Sequence, residues 1–162
     1  MTMNQLLLDF QHSVAQAPWH RHCHLSCEVI YVRRGKARFT IAGVDYTAGP
    51  GCLVLISSLE EHQVRVLSTP YERYFLLLSL PELSRALPQT HLTAALRNRP
   101  QGFCHCVPLR GAKPAADALF AQMGEEVSAA LPGARQMMES LLLQLLVLLY
   151  RACPGNFAAP PG

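Results

Sequence analysis

The alternation of hydrophobic and polar positions changes rhythm once, near residue 79. Before that point, short runs of aliphatic, aromatic and β-branched residues are separated by turn chemistry. The pattern predicts strands over 6–10, 13–17, 28–34, 37–41, 44–47, 52–56, 63–67 and 72–78. Pro18 breaks the run before Trp19, and 57–61 reads as a loop. Arg34-Gly35-Lys36 and Ala42-Gly43 read as hairpin turns, and Gly49-Pro50-Gly51 as a strong turn. Short strands at this spacing suggest an antiparallel barrel or sandwich rather than βαβ units.

After residue 79 the period becomes helical. Ser79-Leu80-Pro81-Glu82 has the form of a capped helix start, with a proline in the first turn. Short helices are expected over 81–87 and 92–97, while 101–109 stays open, with 103–107 readable as an extra strand. In 115–131, Ala116, Leu119, Phe120, Met123 and Val127 recur at three- and four-residue steps. Pro132-Gly133 ends that helix, and a second runs over 134–152. Its stripe of Ala134, Met138, Leu141, Leu145, Leu148 and Ala152 is widened by Leu142, Leu146 and Leu149. A face this broad suggests burial on two sides: the barrel on one, the preceding helix or a partner chain on the other. The expected fold is mainly β with C-terminal α, divided into a β-barrel (1–80), a helical region (81–153) and a Pro/Gly/Ala-rich linker or tail (154–162).

Composition narrows the class. A chain of 162 residues, 50% hydrophobic and 15% charged, builds one domain with a sizeable core. A net charge of +3 without a basic run gives no case for direct nucleic-acid binding. The N-terminus lacks the basic start and long apolar core of a signal peptide. The longest apolar run, 141–150, is interrupted by Gln144 and is too short for a bilayer. A cytoplasmic protein without a membrane partner is expected. The six cysteines then read as reduced thiols. Cys104-His105-Cys106 reads as a buried strand or loop rather than a soft-metal site.

One stretch carries candidate chemistry. His22, His24 and Glu28 are all even-numbered, so in one extended strand they share a face, and Cys23 and Cys27 point the other way. His62, beyond the apolar strand 52–56, can reach the same face from a neighbouring strand. Three imidazoles and a carboxylate suit Zn²⁺, Ni²⁺, Fe²⁺ or Mn²⁺ and do not choose among them. The same four residues can equally line an effector pocket without metal. His20 reads as exposed at the strand entry, and His12, His91 and His105 have no partner at ligand spacing. Trp19, Tyr31, Tyr46 and Tyr74 either stack on an effector or are ordinary core and surface residues.

His22-x-His24-x-x-x-Glu28, followed by Gly35, resembles the first cupin motif. The segment from Gly43 through Gly49-Pro50-Gly51 to His62 is similar to the second. Cys52 stands where an acidic residue is usual, Ser57-Ser58 replace a proline-bearing loop, and the spacing to His62 is longer. That longer form resembles the N-terminal domain of AraC/XylS-type transcription regulators, through Pro18-Trp19-His20, residues 28–32, Gly35, residues 43–46, Pro50-Gly51, residues 53–56, His62 and residues 70–73. The resemblance implies a cupin (double-stranded β-helix, jelly-roll) barrel followed by a pair of long helices. It also implies a homodimer formed through those helices, with Leu141, Leu145 and Leu148 as the residues to test.

The helix-turn-helix units of that family are absent here, so DNA would be reached only through such a missing C-terminal domain. Two roles follow. One is the effector-sensing and dimerisation domain of an AraC-type regulator, not an enzyme and without catalytic residues, its small-molecule or metal effector inside the barrel. The other is a small metal-dependent cupin enzyme of dioxygenase or isomerase type. The apolar helices favour the sensor.

Overall fold

The computed structural model of the chain describes residues 6–14, 26–88 and 90–158. Strands β1 (Leu7–Ser13), β2 (Ser26–Ile41), β3 (Val44–Ala48), β4 (Cys52–Ser57) and β5 (His62–Ser79) come first. Helices α1 (Leu80–Ala86) and α2 (Thr90–Arg97), strand β6 (Cys106–Pro108), and helices α3 (Lys113–Ala129) and α4 (Ala134–Ala152) follow. The fold is an antiparallel cupin barrel followed by helices.

One expected turn and one expected break between strands are absent. Arg34-Gly35-Lys36 lies inside one continuous strand, β2, and the segments expected at 63–67 and 72–78 are one strand, β5. The two strands pair antiparallel from Ser26↔Ser79 to Ile41↔His62, with the register interrupted between Val32 and Ala37. Gly35 sits in that interruption at φ +79, and a Cβ there would lie 2.4 Å from the Pro70 carbonyl oxygen. Only glycine allows this backbone approach.

The irregularity shifts the side-chain phase on both strands. Ile30 and Val32 face the barrel interior on one side of it, and Ala37, Phe39 and Ile41 on the other. On β5, Val64 and Val66 face inward, then Tyr71, Phe75 and Leu77. Two matched phase changes keep apolar side chains inside on both arms of the ribbon.

The ribbon also folds over. Positions 28 and 41 would lie about 43 Å apart on a straight strand. Yet His62, paired with Ile41, touches Glu28 at 3.1 Å. The front wall is ordered β1-β5-β2-β4-β6, and β3 extends the other arm of β2. The β2–β3 connection at Ala42 (φ 48) and Gly43 (φ 80) has the two positive φ values of a type I′ turn, as its sequence predicts.

The outer face of the front wall belongs to the helices. Cys27, Val29, Tyr31, Leu53, Leu55, Tyr74, Leu76 and Leu78 form one core with Phe120, Met123, Met138 and the α4 leucines. The Ser79 side chain accepts from the Glu82 N–H and caps α1 as expected. Leu141 and Leu145, expected at a dimer interface, are 2% and 4% exposed and pack inside the chain's own core. Leu148 instead lines a groove between α3 and α4 with Leu119, Leu143 and Val147.

The segment expected to fray at 154–162 is docked as far as residue 158. Asn156 is fully buried, and its amide both accepts from the Cys104 N–H (2.8 Å) and donates to the Cys104 carbonyl (2.9 Å). The extra strand expected at 103–107 is the short β6, which pairs with β4. Residues 15–17 of the second expected strand lie outside the described residues.

Candidate functional site

Glu28 and His62 meet inside the barrel. Glu28 is opposite Leu77 and Ile56, both inward-facing, so its carboxylate points inward with a residue exposure of 7%. His62 Nε2 lies 3.1 Å from Glu28 Oε2. On its other side, His62 Nδ1 is 3.0 Å from the Glu60 carbonyl oxygen. A carbonyl only accepts, so Nδ1 carries a proton and Nε2 is the nitrogen presented to Glu28. The Glu28 carboxylate raises the His62 pKa, burial opposes it, and the Glu60 carbonyl adds to the rise.

The pair also passes a geometric test for a shared ion. Two ligands about 2.1 Å from one cation and about 90–110° apart lie about 3.0–3.4 Å from each other. The tautomer fixed by Glu60 is the outer support that a metal-binding imidazole needs. Among the described residues no group of three or more His, Cys, Asp and Glu is placed to hold a metal. His22 and His24, the other two expected ligands, lie outside the described residues, as do Trp19, His20 and Cys23.

The same interior holds a second polar group that periodicity did not reveal. Arg73 is opposite Val32 on β2 and Ser13 on β1, and its guanidinium carbon lies 5.6 Å from the centre of the inward Phe75 ring. Its Nη2 donates a long bond to Gln11 Oε1 (3.4 Å), and Gln11 in turn donates to Asp9 (2.9 Å). Among the described residues, Arg73 Nη1 and the Tyr71 hydroxyl are buried without a hydrogen-bond partner. Burial lowers the Arg73 pKa, opposed by Tyr71, Glu28 and Asp9, and it pushes the Tyr71 hydroxyl up to about 12. His62 and Arg73 have opposite parity, so simple alternation puts them on opposite faces. The irregularity between Val66 and Tyr71 puts both inside. An X-Pro followed by a Tyr-x-Arg-x-Phe repeat was the available signal.

Other expected residues have structural roles. Tyr31 and Tyr74 face the helices: Tyr31 stacks on Phe120 at 4.6 Å and donates to Asp117, and Tyr74 stacks on His12. Tyr46 lies against His105, whose Nε2 bonds Glu60. His105 therefore holds the 57–61 loop against the segment before β6. Cys104 is exposed, and burial pushes the Cys27 and Cys106 thiols up to about 12, which leaves both without thiolate character at neutral pH.

With this geometry in view, comparison with known proteins is decisive at the level of family. The profile of the AraC-like ligand-binding domain matches residues 8–146. The chain belongs to this family. Solved cupins show weaker likeness. A cupin protein from Bacteroides fragilis is 21% identical, with TM-score 0.37, over 44% of this chain and 63% of that one. The cupin domain of Cnp3 from Schizosaccharomyces pombe is 9% identical, with TM-score 0.39, over 47% and 57%. Oxalate decarboxylase from Bacillus subtilis, described with Mn(II) centres, is 27% identical, with TM-score 0.32, over 36% and 17%. The matched region thus spans less than two thirds of each of these proteins. No curated protein matches the chain.

Proposed function

We propose that this AraC-like domain is the effector-sensing and dimerisation part of a transcription regulator, acting in the cytoplasm and reaching DNA through a helix-turn-helix domain joined to it. The family match over residues 8–146 carries this reading. The inward Glu28–His62 pair supports the barrel interior as the effector site, because buried ionisable groups facing a common space are costly unless something uses them. Effector binding shifts the regulator between two states only through its differential affinity for them. We place the homodimer contact on the groove side of α3 and α4, where Leu148 is accessible, rather than at Leu141 or Leu145. A divalent metal, when bound, would be held by Glu28 and His62 with His22 and His24, and would supply a Lewis-acid contact for an effector oxygen. The domain has no catalytic role in this proposal.

The isoleucines give a direct test. Ile30, Ile41 and Ile56 are the only isoleucines in the sequence, and all three lie in the inner core. Methyl NMR of isoleucine-labelled protein, titrated with candidate effectors or with Zn²⁺, Ni²⁺ or Mn²⁺, should shift these signals on binding. An effector that binds stoichiometrically and leaves all three unmoved would defeat the barrel assignment. A metal that leaves them unmoved in wild type, or moves them equally in His62→Ala, would defeat the metal arm. Sedimentation at high concentration should show a dimer that Leu148→Asp dissociates.

A further inference from the structure

We infer that the effector of this domain is an organic monocarboxylate, its anionic end held by Arg73 and Tyr71. The inference rests on the barrel being the effector site. Tyr71 is 2% exposed, yet among the described residues its hydroxyl has no partner. Arg73 Nη1 is likewise buried and unpartnered, two residues along the same inward face of β5. Among the described residues no carboxylate forms an ion pair with Arg73. A guanidinium edge presents donors in the fork that matches a carboxylate, and a phenol hydroxyl adds a third donor. Leaving such groups unsatisfied in a barrel costs stability that a bound anion would recover.

The surroundings set the charge and the body of the ligand. Glu28 and Asp9 are close enough to Arg73 to act on its charge. Glu28 is paired with His62 and Asp9 accepts from Gln11, which leaves the guanidinium edge for the ligand, while the two nearby carboxylates disfavour a dianion such as phosphate. The rest of the inner face near Arg73 is apolar: Ile30, Val32, Phe75 and Leu77. The ligand body that fits there is hydrocarbon or aromatic rather than a polyol.

Matched probes test this on the whole chain. Benzoate and hexanoate are titrated against benzamide and hexanamide at pH 7, read by the isoleucine methyls and by calorimetry. Each carboxylate should bind at least about tenfold more tightly than its amide. Arg73→Gln should erase that preference, and Tyr71→Phe should reduce it. Arg73→Met should leave the melting temperature of the ligand-free protein unchanged or raise it, since it removes an unpartnered buried charge. Amides binding as well as carboxylates, with the methyls shifting, would overturn the anion inference and leave the barrel assignment intact. Carboxylates that bind without moving the methyls would overturn both. The inference also falls if no probe binds at millimolar concentration, or if Arg73→Met lowers the melting temperature by more than about 5 °C, which marks a structural arginine.

Discussion

The two faces of the front wall carry ionisable groups in opposite condition. On the outer face, Glu72 accepts from Arg33 (2.9 Å) and Arg34 (2.7 Å) and pairs with His12 (2.9 Å). Burial raises its pKa, but these three partners more than offset that and hold it at about 2. On the inner face, one residue further along β5, Arg73 Nη1 has no hydrogen-bond partner among the described residues. Two residues back, neither does the Tyr71 hydroxyl. The outer charges complete each other and fix the wall against its surroundings. On the inner face Glu28 and His62 pair with each other, but Arg73 and Tyr71 are incomplete, which is the condition of a surface built to meet something else.

That contrast can be broken at several points. The largest effect belongs to the outer core. Phe120 is fully buried and stacks on both Tyr31 and Tyr74. Phe120→Ala should cost about 3–5 kcal/mol in urea unfolding. Next is the bend that brings Glu28 to His62. Gly35→Ala must adopt φ near +79 with a Cβ against the Pro70 carbonyl oxygen, and should cost about 2–3 kcal/mol. It should also separate the Glu28–His62 pair, seen as a fall in the His62 pKa by NMR.

A smaller effect is expected at Glu60. Burial raises its pKa, but hydrogen bonds from Arg99 and His105 bring it down to about 2 from an ordinary 4.5. Because the folded value is the lower one, its contribution is complete above about 4.5 and is lost as pH falls towards about 2. Glu60→Gln should cost about 1–3 kcal/mol at pH 7. The gap to wild type should close on acidification across that window; a constant gap would show that the loss is not electrostatic.

The smallest effect belongs to the inner pair. His62 has a raised pKa, so in metal-free protein its stabilisation is complete below the ordinary 6.5 and fades as pH rises through the raised value. Glu28→Gln should remove that pH dependence at a cost of about 0.5–1.5 kcal/mol at pH 6. A loss as large as that at Phe120 would make the pair structural and undo the contrast between the faces.

Much of this was legible along the chain. The change of period near residue 79, the Ser79 cap, the Ala42-Gly43 turn and the two long helices follow from local rules whose partners lie within a few residues. The inward direction of Glu28 and the outward direction of Cys27 follow from alternation within one arm of β2. Gly35 was misread because glycine between charged residues looks the same in a turn and in a bulge. What separates them is the Pro70 carbonyl, 35 positions away in sequence. For Leu141 and Leu145, periodicity leaves a partner chain and the chain's own core equally open, because it identifies a buried face without identifying what buries it. Asn156 looked like part of a tail because its partner is a backbone segment far away at Cys104.

His62 could be matched to Glu28 from residue types and family spacing, since ligand chemistry restricts the choice. Arg73 could not. Its direction depends on a phase change shared by two strands, and the unpartnered state of its Nη1 depends on every other side chain around it. Where strands give way to helices and which residues can be buried are readable along the chain, because these rest on short-range periodicity and conformational preference, and the family is readable from the order and spacing of its motifs. Which buried polar groups are satisfied and which are left without a partner is settled by the folded arrangement alone. Satisfaction is a property of all neighbours at once, and folding the β2–β5 ribbon over itself is what chooses them.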